Sequence, residues 1–248
     1  MLNEMDKNML KLLENKSFKG LNNNQLKMIA MISMVIDHVG LMFFPKIMIF
    51  RYLGRLALPI YAYMIAEGCK YTKNRKRYLG LIVAMAVVFQ LVYLVFMKSI
   101  YQGILVNFSL SIVTIYAIDS FIKNKKVINR ILMTLIVCAM VFIYFGLPKI
   151  LSSTDFAIDY GIWGFLLPII AYFTPKKWLK ILFIGALLII MTLVSGKNMQ
   201  WYSLFVLPLF ALYNGTRGSK KLKYVFYVFY PLHLVLIYAI GYLIVFLR

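Results

Sequence analysis

Nine runs of apolar residues divide the chain, each bounded by clusters of basic residues or by breaks rich in Gly and Pro. They fall near residues 27–44, 48–68, 78–97, 100–122, 127–147, 159–174, 178–195, 200–213 and 224–247. At about 1.5 Å of rise per helical residue, a run of roughly 20 residues spans the ~30 Å hydrocarbon core of a bilayer. The pattern therefore predicts an all-α, polytopic helical membrane bundle. Nine transmembrane helices is the count it gives. Eight to ten remain open, because several runs are short or carry Pro59, Pro168, Pro208 or Pro231, and one can be re-entrant. Residues 27–248 read as a single membrane domain, and residues 1–26 as a polar, Lys-rich segment ahead of it. Within that segment Met5, Leu10, Leu12, Leu13 and Phe18 stand among charges, as in a short amphipathic helix on a membrane surface; a solvated tail is the alternative. The segment lacks the apolar centre and small-residue cleavage site of a signal peptide, so the mature chain is expected to keep its N-terminus.

Composition strengthens this reading. Hydrophobic residues make up 62% of the chain and charged residues only 15%, far from the balance of a soluble domain. The formal charge of +20 is distributed by loop: 21 of the 28 Lys and Arg fall on one set of alternating loops and five on the other, with Arg51 and Arg55 inside a run. By the positive-inside rule this places the N-terminus in the cytoplasm of a cell-membrane protein. The charge then reflects topology and contact with anionic lipid, and nucleic-acid binding is excluded as its explanation. Cys69 and Cys138 provide neither a disulfide framework nor a metal-ligand spacing, so no metal is expected.

Polar residues inside the apolar runs are costly and point to chemistry. The two histidines of the chain, His38 and His233, lie eleven residues after Lys27 and ten after Lys223, which at helical rise puts both rings roughly 15–17 Å from a basic anchor. Both fall near the bilayer midplane, where a neutral imidazole can exchange a proton at neutral pH. Arg51 and Arg55 are one helical turn apart. With eight acidic residues in the chain, Asp37 is the expected counter-charge, although a plain ion pair locking two helices together explains the same residues. Adjacent residues on a helix diverge by about 100°, so Asp37 is expected to pair with Arg51 or Arg55 and not with His38. Glu67 closes the second run, and Asp159-Tyr160-Gly161 opens the sixth as a helix cap with an interfacial tyrosine. The segment Asn214-Gly215-Thr216-Arg217-Gly218-Ser219-Lys220-Lys221 combines permissive backbone with cations, as a phosphate-binding loop or a basic anchor would.

Four strings carry a family resemblance: LKMIAMISMVIDHVGLMFFP (26–45), RYLGRLALPIYAYMIAEGCKYTKNRKRYL (51–79), DYGIWGFLL (159–167), and YNGTRG (213–218) followed by FYPLHLVLIY (229–238). In this order they resemble the TraX family of integral membrane proteins, known from N-terminal acetylation of conjugative pilin. The chain departs from that family's pattern at Phe89-Gln90-Leu91-Val92-Tyr93-Leu94, where an acidic, Pro-containing stretch is usual. The first run is also similar to the signature of the acyltransferase-3 membrane family, a basic residue, ten residues, then His. Eleven residues at 100° return to within about 20° of the starting face, so Lys27 and His38 are expected to line one shaft.

The resemblance implies a membrane acyltransferase that takes an acetyl or short acyl group from cytoplasmic acetyl-CoA or another acyl-CoA. The acceptor is an amine or hydroxyl, such as a peptide or pilin N-terminus or a cell-envelope glycan. On that reading His38 is the base or transient acyl carrier, and Asp37, Arg51, Arg55 and His233 complete the catalytic group. Lys27, Lys73, Arg75, Asn214, Arg217 and Lys220 hold the coenzyme, and Glu67, Asp159 and Tyr160 contact the acceptor. The competing reading is a transporter or flippase in which the His, Arg and Asp residues bind substrate. It is expected to show two facing cavities and no affinity for coenzyme.

Overall fold

The computed structural model describes residues 20–196, 198–219 and 223–246. The expected amphipathic helix in residues 1–18 and the candidate Lys220 lie outside them. The described chain is helical throughout. Its elements are α1 (Asn23–Phe43), α2 (Met48–Gly54), α3 (Ala57–Tyr71), α4 (Arg75–Met97), α5 (Ile104–Lys123) and α6 (Val127–Val141), the last running through a π-helical turn (Phe142–Gly146) into α7 (Leu147–Ile150). There follow α8 (Gly161–Phe173), α9 (Lys177–Ser195), a 3-10 segment (Asn198–Phe205), α10 (Val206–Leu212) and α11 (Lys223–Phe246).

Among the described residues five helices are long and apolar enough to cross a membrane: Asn23–Phe43, Arg75–Val95, Ile104–Lys123, Val127–Ile150 and Lys177–Ser195. The protein is a multi-pass helical membrane protein. Two of the nine anticipated runs are broken. The run at 48–68 folds as α2 and α3 with a turn at Arg55-Leu56, and the run at 200–213 folds as the 3-10 segment and α10. The breaks match the proline positions. Pro59 and Pro208 each sit in the first turn of a new helix, where the missing N–H costs nothing. Just past the fifth run, Pro148 in the first turn of α7 follows the π turn, a distortion that such a residue induces in the preceding ladder.

Burial sorts the helices. In α3 most residues are buried, polar and apolar faces alike, because it packs against α1, α4, α5 and α8. A helix hydrophobic on all sides belongs in the centre of such a bundle. By contrast α4 and α6 present Val87, Leu91, Leu94, Leu132, Leu135 and Val141 outward, the lipid-facing surface of outer helices. The basic end is closed by a short parallel bridge between Leu21 and Tyr213. At the opposite end Gln102 bridges Ile158, with Gln102 N–H donating to Ala157 O at 2.7 Å and Asp159 N–H to Gln102 O at 2.9 Å. These clasps hold the loops before α5 and α8 together, and those loops carry one wall of the site.

Candidate active site

A close approach of α2 to α1 creates the charge cluster. A Cβ at Gly54 would lie 2.3 Å from Asp37 Oδ1, and one at Gly40 would lie 2.2 Å from the Phe50 Cβ, so α2 folds back on α1 only because both positions lack a side chain. Asp37 is thereby delivered to both arginines. Arg55 Nη2 donates to Asp37 Oδ1 at 2.8 Å and Oδ2 at 3.0 Å, and Arg51 Nη1 donates to Oδ2 at 3.1 Å. Arg55 is 6% exposed, a guanidinium that must be neutralised where it sits. Its remaining nitrogens are engaged as well: Nε donates to Arg51 O at 3.1 Å and Nη1 to the Tyr160 hydroxyl at 3.0 Å. Arg55 thus closes the last turn of α2, neutralises Asp37 and ties both to α8.

The histidines meet beside this cluster. His38 of α1 and His233 of α11 face each other edge to plane, with ring centroids 5.2 Å apart and an interplanar angle of 69°. In each ring Nδ1 lies against the carbonyl one turn earlier, Met34 O at 2.8 Å for His38 and Phe229 O at 3.0 Å for His233. A carbonyl only accepts, so in the neutral ring Nδ1 carries the proton and Nε2 is the basic nitrogen. Phe229 stacks on His233 at 4.9 Å and fixes its plane.

His38, His233, Asp37, Arg51, Arg55, Asp159 and Tyr160 all line one cavity of about 1190 Å³ that extends toward the loops before α5 and α8. At its mouth Tyr101 donates its hydroxyl to Asp159 Oδ1 at 2.7 Å. Asn107 donates to Asp159 O at 2.7 Å and Gly161 O at 2.9 Å, and accepts from the Tyr144 hydroxyl. Asp155, exposed on the loop, is held below the ordinary carboxylate range by the Ser99 hydroxyl and the Ile100 N–H. Tyr160 occupies the N-cap position of α8, but its side chain does not cap the helix. It takes a left-handed conformation (φ 56°) without a side-chain cap bond, and its hydroxyl meets Arg55.

A second cavity, about 440 Å³, opens at the basic end between α1, α3, α4 and the loop after α10. Lys27 and Arg217 line it, and so does Glu67, which is therefore separated from Asp159 and Tyr160. Glu67 instead lies 3.9 Å from the buried Lys180 Nζ and accepts from the Tyr213 hydroxyl at 3.3 Å. Lys180, counted as a loop cation in the sequence, is inside α9. Lys73, Arg75 and Asn214 do not line this cavity. Arg75 forms an ion pair with Asp119 and stacks over Tyr116. Asn214 accepts from the Thr216 N–H and hydroxyl, shaping the loop. That loop docks on the start of α1: Asn23 N–H donates to Thr216 O at 2.8 Å and Asn24 Nδ2 to Ser219 O at 2.7 Å. Asn22 and Gln25 form a capping box there, so the first amides of α1 are spoken for and the cations carry any phosphate contact. The single shaft expected from the Lys27 and His38 register is two cavities. Lys27 lines the basic-end cavity and His38 the larger one.

Sequence reasoning missed Tyr101, Asn107, Asp119 and Lys180. Asn107 and Lys180 were recoverable as polar residues within apolar runs, whereas Tyr101 carries no such signal.

A family model described as TraX protein matches residues 22–241. The chain belongs to the TraX family. Among curated proteins, it is similar to a probable fimbrial assembly protein FimC, serogroup H1, of Dichelobacter nodosus. The two are 25% identical over 239 residues, covering 86% of this chain and 93% of the relative. It is also similar to an uncharacterised protein, RP591, of Rickettsia prowazekii (strain Madrid E), 32% identical over 104 residues, with 40% of each chain covered. No solved structure matches. The TraX match begins at Asn22, the capping residue of α1, and ends within α11, so it takes in both histidines and the charge cluster.

Proposed function

We propose that this protein is a cell-membrane acyltransferase that moves an acetyl or similarly short acyl group from a cytoplasmic acyl-CoA to an amine or hydroxyl. Family membership and the fimbrial assembly name of its relative favour a pilin-type peptide N-terminus as acceptor. The observation that carries the proposal is the pair of Nδ1-anchored histidines beside a neutralised, hydrogen-bonded charge cluster on one cavity. It offers a base and a polar wall within one cavity.

His38 Nε2 takes the proton from the acceptor nitrogen or oxygen as that atom bonds to the thioester carbonyl carbon. It returns the proton to the departing sulfur as the carbon–sulfur bond breaks. Each Arg55 nitrogen already donates within the protein, so Arg55 acts on the oxygen that gains charge through Tyr160. A phenol that accepts from a guanidinium is polarised to donate its own proton, an electrostatic contribution of about 3–4 kcal/mol in a dry site. Arg51, with one bond to Asp37, keeps donors for the same oxygen. Asp155 and Asp159 at the mouth suit a cationic acceptor terminus. At the basic end Lys27 and Arg217 suit the phosphates of the donor.

A transporter also needs two cavities, and the structure has them. The two readings part on chemistry. Purified protein in proteoliposomes, given labelled acetyl-CoA and a pilin N-terminal peptide, is expected to label the peptide. His38→Ala is expected to abolish labelling with little change in thermal stability, and His233→Ala to slow it about 10- to 100-fold. Wild-type turnover in His38→Ala rules out this mechanism. Peptide movement without labelling favours transport.

A further inference from the structure

Tyr61 of α3 and Phe108 of α5 line both cavities. On α3 the order along the helix is unambiguous. Ala57 and Leu58 line the histidine cavity, Tyr61 lines both, and Met64, Ile65, Gly68 and Tyr71 line the basic-end cavity. On α1 the same division falls between Lys27 and Met34. The two rings therefore stand between the compartment that opens among the cations and the compartment that holds both histidines.

The two rings differ in burial. Phe108 is 2% exposed within the main core, on a helix that packs against α3 and α8. Tyr61 is only partly buried, at the edge of that core, with space on both sides. Tyr61 lies ten residues from Tyr71 at the basic-end mouth, about 15 Å of helix. A donor arm entering beside Arg217 and Tyr71 therefore reaches these rings before it reaches a histidine.

We propose that Tyr61 and Phe108 form a septum between a donor compartment and an acceptor compartment, and that the gap between their rings sets the length of acyl group that reaches His38. The inference rests on the acyltransferase reading and adds to it the residues that determine donor selectivity. Phe108 is the more deeply buried wall of the gap, and Tyr61 the wall bordered by both cavities. An acetyl group needs a small displacement of Tyr61, whereas each added methylene must displace more of a packed ring. A fitted apolar passage discriminates about 10-fold or more per methylene.

Two measurements test it. The first compares acetyl-, butyryl- and hexanoyl-CoA as donors for the wild-type protein and for Tyr61→Ala. The wild type is expected to prefer acetyl, and the variant to raise the hexanoyl-to-acetyl ratio of kcat/KM at least about tenfold. Acetyl transfer with an unchanged ratio in the variant overturns the septum and leaves the acyltransferase reading intact. The second needs no turnover. Leu58→Cys, in a Cys69→Ala, Cys138→Ala background, places a thiol on the histidine side of Tyr61. A small membrane-impermeant thiosulfonate is expected to modify it from the side opposite the basic loops. Modification from the basic side should rise at least tenfold when Tyr61→Ala is added. Equal modification from both sides with Tyr61 in place shows that no septum exists, whatever the protein's activity.

Discussion

Removing Asp37 perturbs the cluster where it is least able to adjust. In Asp37→Ala, Arg55 loses both carboxylate bonds while 6% exposed, and Arg51 loses its one bond while 22% exposed. Deleting one partner of a buried pair leaves an uncompensated charge, at a cost of about 3–5 kcal/mol. For a chain of this size each kcal/mol lowers Tm by about 2–4 °C, so the expected loss is about 6–20 °C. Arg51→Ala removes a single charge-assisted bond from a more hydrated side chain and should cost about 1.5 kcal/mol. Asp37→Ala with Arg55→Leu removes the stranded charge along with its partner. The double variant should be more stable than the sum of the two singles by about 2 kcal/mol. Thermal unfolding of detergent-purified protein, followed by tryptophan fluorescence, measures the wild type, the three single variants (Asp37→Ala, Arg51→Ala and Arg55→Leu) and the double variant. A drop below about 3 °C in Asp37→Ala, or additive behaviour in the double variant, refutes the claim that this cluster is desolvated and coupled.

Gly54→Ala would place a methyl group 2.3 Å from Asp37 Oδ1. It should destabilise the protein at least as much as Asp37→Ala, whereas Gly80→Ala, with open space around it, should be neutral in the same melt. Arg217→Ala is expected to raise the donor KM about tenfold and spare kcat, because uniform binding alone is lost; Arg75→Ala, paired with Asp119 away from the cavity, should leave that KM unchanged. Cysteines introduced at Asn74 and Ser219 should react with an impermeant maleimide from the same side of the membrane, and labelling from opposite sides would invert one half of the bundle.

Much of this molecule is legible in its sequence, and the exceptions have physical causes. Long uniform runs such as 178–195 appear as single helices because nothing in them competes with the ladder. The 48–68 run is broken because Arg55 caps α2 with its own side chain and Pro59 restarts the chain, and hydropathy averages over both. Scarcity of acid identified Asp37 as the partner of the arginines, but geometry decided that it serves both at once. Lys180 was misread because it stands at the third position of the 178–195 run beside Lys176 and Lys177, and a basic cluster at the start of a run reads as a loop, whereas the helix begins at Lys177 and turns Lys180 into the core beside Glu67. The septum was invisible for a related reason. Angular periodicity says which residues of α1 share a face, and nothing about rings that α3 and α5 insert across it.

The break between α2 and α3 also bears on how the chain enters the bilayer. Neither half crosses alone: seven and fifteen residues span only about 10 and 22 Å. The preceding helix carries Asp37, and a lone carboxylate near the middle of a nascent helix raises its insertion cost by about 2.5–3.5 kcal/mol. Relief comes from Arg51 and Arg55, 14 and 18 residues later in synthesis. Residues 23–71 are therefore expected to enter lipid as one block, with the ion pair closing before the first helix is released.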